Sequence, residues 1–271
     1  MIKKTRDVSV MGILNITDNS FYPDSRCLKD GHLSIRDVLL KTEVLVNEGA
    51  DILDIGACST RPGFVAVGEN VEWNRLKPVL SAIRSEFKEV RISIDTYWAS
   101  VVEKSYDLIG DFIVNDISAG EDDDQMLRLV GKLGLDYIAM HKRGNALTMQ
   151  SLCDYDNVSL EILAYFQEFS IKAEQAGVRN WILDPGFGFA KNIEQNYELL
   201  RNLALFTKTK KKILVGLSRK SMIYKYLNIN PEDSLPETQI LNMKALENGA
   251  DILRVHDVAQ AKRTVKLYRI L

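Results

Sequence analysis

Hydrophobic residues along this chain cluster in short, mainly apolar runs, at residues 8–14, 52–55, 92–94, 112–114, 137–140, 181–183, 213–215 and 252–255, each followed by a polar residue or glycine. Runs this short, without polar alternation, fit strands buried on both faces, as in a parallel sheet. Between them, apolar positions recur at helical spacing over 33–47, 71–87, 98–108, 124–133, 158–176, 193–203, 236–247 and 259–271. Gly49, Gly177 and Gly249 supply a left-handed closing residue after three of these helices. The alternation predicts an α/β fold, a single (β/α)8 TIM barrel, with an open doubly wound sheet as the alternative. No Ser/Gly-rich linker breaks the pattern, so 1–271 reads as a single domain.

A barrel carries its chemistry at the carboxyl ends of its strands, where the loops converge on one face. Taken in order, those ends are Asn15, Asp54 with Gly56, Asp95, Asn115 with Asp116, His141, Asp184, Gly216 with Ser218, and Arg254 with His256. One aspartate after a strand is unremarkable, because aspartate caps the following helix. A whole ring of polar ends is harder to explain by capping. At the sixth end, Asp184 is followed by Pro185-Gly186-Phe187-Gly188, which neither extends a strand nor starts a helix at once. Asn192 is the more natural cap for the helix that follows, which leaves Asp184 available to a ligand.

The residues also sort by chemistry. Asp95, Asn115 and Asp184 offer acceptors, and Asn115 adds donors, which suits a flat heterocycle with amidine-like N–H edges. Asn15, Arg61, Arg219, Lys220, Arg254 and His256 offer donors, or a hard oxygen ligand, for phosphate or diphosphate. The plainer reading of the basic residues is a ring of surface charge, and of His256 a satisfied structural histidine. Arg254 and His256, however, are two apart on a strand and point the same way. The turn Gly216-Leu217-Ser218-Arg219-Lys220-Ser221 lacks the spaced glycines of a P-loop and reads as a strand-to-helix turn presenting Lys220 and Ser221 to the barrel mouth. The loop Ser59-Thr60-Arg61-Pro62-Gly63 is kept out of helix by its proline and glycine and reads as mobile.

Composition narrows the setting. The formal net charge is −2, so a nucleic-acid stripe is not expected, and Lys208 to Lys212 reads as a solvated connection. The basic start is too short for a signal segment and no apolar run reaches membrane-spanning length, so the expectation is a cytoplasmic protein without membrane contact. Cys27, Cys58 and Cys153 follow no metal-site spacing and read as reduced thiols.

Taken together and in order, Met11-Gly12-Ile13-Leu14-Asn15-Ile16-Thr17, Asp54-Ile55-Gly56 with Ser59-Thr60-Arg61-Pro62-Gly63, Ile94-Asp95-Thr96, Val114-Asn115-Asp116-Ile117-Ser118, Met140-His141, Asp184-Pro185-Gly186-Phe187-Gly188-Phe189, Gly216-Leu217-Ser218-Arg219-Lys220-Ser221 and Arg254-Val255-His256-Asp257-Val258 resemble the dihydropteroate synthase family. The resemblance runs from Met11 to about Val258. It implies condensation of 6-hydroxymethyl-7,8-dihydropterin diphosphate with p-aminobenzoate, giving 7,8-dihydropteroate and diphosphate. By resemblance Asp95, Asn115, Asp184 and Lys220 line the pterin pocket, Asn15 ligates a Mg²⁺ on the diphosphate, and Arg254 and His256 hold the anion. Thr60, Arg61 and Ser221 would complete the p-aminobenzoate site; Asp24, Arg61 and Lys220 would be the catalytic residues. The family also implies a homodimer and competition by sulfonamides, which mimic p-aminobenzoate.

The chain departs from the family in two loops. Thr17-Asp18-Asn19-Ser20-Phe21-Tyr22-Pro23-Asp24 stands where Thr-Pro-Asp-Ser-Phe-Ser-Asp is usual, and Ala57-Cys58 stands where Gly-Glu is usual. Other readings keep parts of the pattern: a pterin-binding methyltransferase barrel, which would leave the diphosphate set without a role; a Schiff-base aldolase using Lys220; and a catalytically weak pterin-binding paralogue with a regulatory or partner-binding role.

Overall fold

The computed structural model describes residues 6–16, 28–29, 32–58 and 67–271. Eight parallel strands form one sheet: β1 (Ser9–Asn15), β4 (Ile52–Gly56), β5 (Arg91–Asp95), β6 (Ile113–Asp116), β7 (Asp136–Met140), β8 (Trp181–Asp184), β9 (Leu214–Val215) and β10 (Ile252–Val255). The short strands β2 (Leu28–Lys29) and β3 (His32–Leu33) pair antiparallel outside it. The sheet runs β8-β7-β6-β5-β4-β1-β10-β9, and a parallel bridge between Leu183 and Ile213 joins its two ends into a nearly closed barrel. An open sheet is thereby excluded. Each predicted strand run contains or overlaps one barrel strand.

Helices pack outside the strands: α1 (Ile35–Asn47), α2 (Glu69–Glu86), α3 (Ala99–Ile109), α4 (Met126–Leu133), α5 (Val158–Gln175), α6 (Ile193–Arg201), α7 (Ser221–Leu227), α8 (Leu235–Glu247) and α9 (Val258–Tyr268). Gly49, Gly177 and Gly249 close helices at φ 95°, 78° and 107°, as the sequence predicts. Helix α7 is additional to the predicted set. Among the described residues no helix is long and apolar enough to cross a membrane.

Alternation along the strands separates two cores. A Cβ on Gly12 would meet Val258, Ala50 and Leu45, so Gly12 faces the helices and Met11 faces the barrel interior. Met11 belongs to a buried apolar cluster with Ile52, Ile113, Ile138, Ile182, Leu214 and Ile252, a ring of large side chains that plugs the barrel. Two residues further along each strand the same face comes round again. The next interior layer therefore contains Asp54, Asn115, Asp184 and Arg254, with Ser93 registered against Asp54 and Asp95 against Asn115. Sealed below by apolar side chains and open toward the loops, this polar layer is the floor of the candidate site.

Candidate active site

Asp54 is the hub of the floor. It is fully buried and accepts from Ser93 Oγ at 2.7 Å, from Asn115 Nδ2 at 3.1 Å and from Arg254 Nε at 2.6 Å. Arg254 also donates to Asp95 Oδ2 at 2.9 Å. Burial works against the charged guanidinium, but Asp54 and Asp95 overcome it and raise the Arg254 pKa. Burial pushes the Asp95 carboxyl up, with Arg254 opposing and Asp54 reinforcing the shift. A buried charged cluster of this kind is costly to break, typically by ~3–5 kcal/mol when one partner is removed. Next to it Asp116, also fully buried, is held by Ser118 Oγ at 2.7 Å, Gly120 N at 2.8 Å and Tyr137 Oη at 2.5 Å. Its hydrogen bonds tie down the loop after β6.

On the opposite wall, Asp184 ends β8 and turns back on its own loop, where Gly186 N donates to Oδ1 at 2.8 Å. Gly186 has φ 71°, and a Cβ there would run into the His141 carbonyl oxygen. Only glycine lets the loop approach the end of β7 so closely. Lys220, at the start of α7, donates to the Phe187 carbonyl across this loop, and its ammonium lies 5.1 Å from the centre of the Phe189 ring. Burial lowers the Lys220 pKa to about 8, with Asp184 opposing the shift. Burial likewise raises that of Asp184, against Lys220 and the Gly186 N–H. The predicted cap is present: Asn192 and Gln195 form a reciprocal capping box at the start of α6.

The predicted anion residues fall in two groups. His256 shares a hydrogen bond between Nδ1 and Ser218 Oγ at 3.1 Å and lines a cavity of about 290 Å³ with Asn15, Lys41, Glu48, Arg219 and Asp257. Arg219 is tied to Asp257 by hydrogen bonds of 3.0 and 2.8 Å. Arg254, by contrast, is engaged with the floor carboxylates. Asn15 sits beside Gly56, and a Cβ on Gly56 would come within 3.6 Å of both Asn15 Oδ1 and Asp95 Oδ2. The missing side chain leaves a cradle edged by hard oxygens. Ser221 opens α7 beside Lys220. Asp24, Thr60 and Arg61 lie outside the described residues.

In sequence, Asp54 and His141 are strand ends with no role assigned to them. Asp54 proves to be the centre of the ionic network. Its opposite charge to Arg254, both of them interior residues of a closed barrel, was the available signal.

A sequence-family model described as pterin binding enzyme matches residues 11–256. The chain belongs to the pterin-binding enzyme family. Within that family, the dihydropteroate synthase of Escherichia coli strain K12 is 41% identical over 266 residues, covering 97% of this chain and 90% of the relative. The Yersinia pestis dihydropteroate synthase, solved with a sulfonamide drug complex, superposes with a TM-score of 0.91 at 34% identity, over 98% of this chain and 94% of that one. The Xanthomonas albilineans dihydropteroate synthase, solved with 4-aminobenzoic acid, superposes with a TM-score of 0.86 at 31% identity, over 99% and 93%.

Proposed function

We infer that this chain is a dihydropteroate synthase, joining 6-hydroxymethyl-7,8-dihydropterin diphosphate to p-aminobenzoate with release of diphosphate. The observation that carries the reading is the interior layer of Asp54, Asn115, Asp184, Arg254 and Asp95 above an apolar plug, in a chain closely similar along its length to enzymes of that name. Asp184 would accept from the pterin amino and ring N–H groups, with Asn115 and Asp95 completing the edge. Lys220 would donate to the ring from the loop side. An electron-rich dihydropterin can carry positive charge at its exocyclic carbon as the diphosphate leaves, and the acidic side chains of the floor would favour that charge. The arylamine of p-aminobenzoate is neutral at physiological pH, so its attack needs no strong base.

Asn15 and His256 share one cavity wall and would face the departing diphosphate, with Arg254 reaching it on release from the floor carboxylates. The oxygen-edged cradle over Gly56 suits Mg²⁺, which binds few protein oxygens and prefers to share substrate phosphates; held through Asn15, the ion would neutralise charge on the leaving group. Thr60, Arg61 and Ser221 would complete the p-aminobenzoate site, where sulfonamides would compete, and Asp24, Arg61 and Lys220 would be the catalytic residues. A homodimer fits the outer face of α6, α7 and α8, where Tyr226 and Ile240 are each 67% exposed beside Leu241. A cytoplasmic location fits cysteines that follow no metal-site spacing and read as reduced thiols.

The deciding assay is diphosphate release from the pterin diphosphate with Mg²⁺, with and without p-aminobenzoate, alongside detection of dihydropteroate. Coupled release and product formation are expected. Tight pterin binding without product would instead support the inactive paralogue.

A further inference from the structure

The loop between β8 and α6 contains a cation that the reaction above does not use. Lys191 is 3% exposed, and its ammonium is surrounded by acceptors: the Gly186 carbonyl at 2.9 Å, the Phe189 carbonyl at 2.8 Å and His141 Nδ1 at 3.2 Å. Its three donors thus have three partners, which a buried ammonium requires. Burial, with Lys191 and Arg143 adding to it, lowers the His141 pKa to about 2. The imidazole is therefore neutral, and the Nδ1 facing the ammonium is an acceptor, which puts the ring proton on Nε2.

Both pterin-facing elements on this wall hang from the loop that Lys191 gathers in. Gly186, whose carbonyl Lys191 holds, donates its N–H to Asp184 Oδ1 at 2.8 Å. Phe187 accepts from Lys220, and Gly188 N is pinned to Asn196 Oδ1 at 2.7 Å. Lys191 grips the carbonyls on either side of Phe187 and anchors both to the end of β7 through His141. Its charge also acts on Asp184, favouring the carboxylate against burial.

We propose that Lys191 is a positioning residue of the pterin site, holding residues 185–190 in the form that presents the Asp184 carboxylate and the Phe187 carbonyl. The proposal rests on the synthase reading to the extent that a pterin is the ligand. The charged and titratable groups acting on Lys191 are Asp184, Lys220, Arg143, Cys153 and its partner His141. Burial lowers the Lys191 pKa to about 7, Asp184 opposing and Lys220 and Arg143 reinforcing. Below that pH the ammonium is present; as pH rises through it, the clamp loses its charge and pterin affinity should fall.

The test compares binding of the pterin diphosphate by wild type and Lys191→Met between pH 6 and 8.5, together with the KM for p-aminobenzoate. At pH 6 the variant should bind the pterin roughly tenfold more weakly, the effect of losing one hydrogen bond to a charged group. Its affinity should also vary less with pH than that of wild type, and its KM for p-aminobenzoate should be unchanged. A variant with wild-type affinity and pH profile would overturn the proposal. Failure of the wild type itself to bind the pterin would overturn the synthase reading and this role with it. Should Lys191→Met fail to fold, ¹³Cε-lysine NMR on wild type gives the same answer: by linkage, pterin binding must raise the Lys191 pKa, and a titration unmoved by ligand would overturn the role.

Discussion

Asp184 is 8% exposed, and the Gly186 N–H and the Lys220 and Lys191 charges around it favour its ionised form against burial. Replacing it with asparagine keeps the shape and removes the charge. Asp184→Asn should weaken pterin binding by about 1.5–3 kcal/mol, roughly 10- to 150-fold, as expected for a hydrogen bond to a charged group; isothermal titration with the pterin diphosphate measures it. Unchanged affinity would remove Asp184 from the pocket. Glu72 makes a different prediction. It is 0% exposed at the start of α2, and burial raises its pKa to about 7, with Asp95 adding and Arg75 opposing. Between the ordinary glutamate range and pH 7, the folded chain keeps a proton that the unfolded chain has lost. Glu72 therefore contributes stability that is fully present at low pH and lost as pH rises through about 7. In urea unfolding at pH 5 and pH 8, Glu72→Gln should lose less stability across that interval than wild type, by up to about 3 kcal/mol. Identical pH slopes would show that Glu72 titrates normally.

At the scale of elements, what the sequence disclosed depended on length and on burial. Strands such as β4 and β8, buried at every position, are largely apolar, so their runs stand out. Helix α7 has seven residues, Ser221–Leu227, about two turns. That is too few for an amphipathic period to register. The floor residues were visible as strand ends because the barrel rule says where to look. Their pairing was not. Nothing local to Asp54 says that Arg254, 200 positions away, will reach it; that contact exists only once β1 has brought β4 and β10 together. Helix packing was equally hidden. Gly131 lies inside α4, where alanine would ordinarily be the better helix former, but a Cβ there would collide with the Ala176 carbonyl at the C-terminal cap of α5. Gly131→Ala should destabilise the fold by about 1–3 kcal/mol through overpacking, against the helix-propensity expectation. A urea midpoint equal to or above that of wild type would mean that α4 and α5 can separate without cost.

Around the whole molecule the barrel is unevenly closed. Strands β1 and β4 share five registered pairs, whereas β9 has two residues and meets β8 through one bridge, Leu183 with Ile213, and a 2.9 Å bond from Leu183 N to Lys212 O. Ile213 N is not part of the ladder and donates to Asp251 Oδ2 at 2.9 Å. Local opening is favoured where few backbone bonds must break together. The amides of Leu183, Ile213 and Val215 should therefore exchange with deuterium faster than those of β1 and β4. The site spans the same seam, since Asp184 ends β8, Lys220 follows β9, and the Lys220–Phe187 hydrogen bond is a side-chain tie across it. A pterin held between Asp184 and Lys220 adds a second tie, and ligand that binds the closed form stabilises it by mass action. Saturating pterin diphosphate should accordingly slow exchange at Leu183 and Ile213 more than at Leu14 or Ile55. Equal protection around the ring without ligand would mean that the packed helices, rather than strand pairing, keep the barrel shut; a ligand effect spread evenly over all strands would mean that the pterin does not bridge the seam.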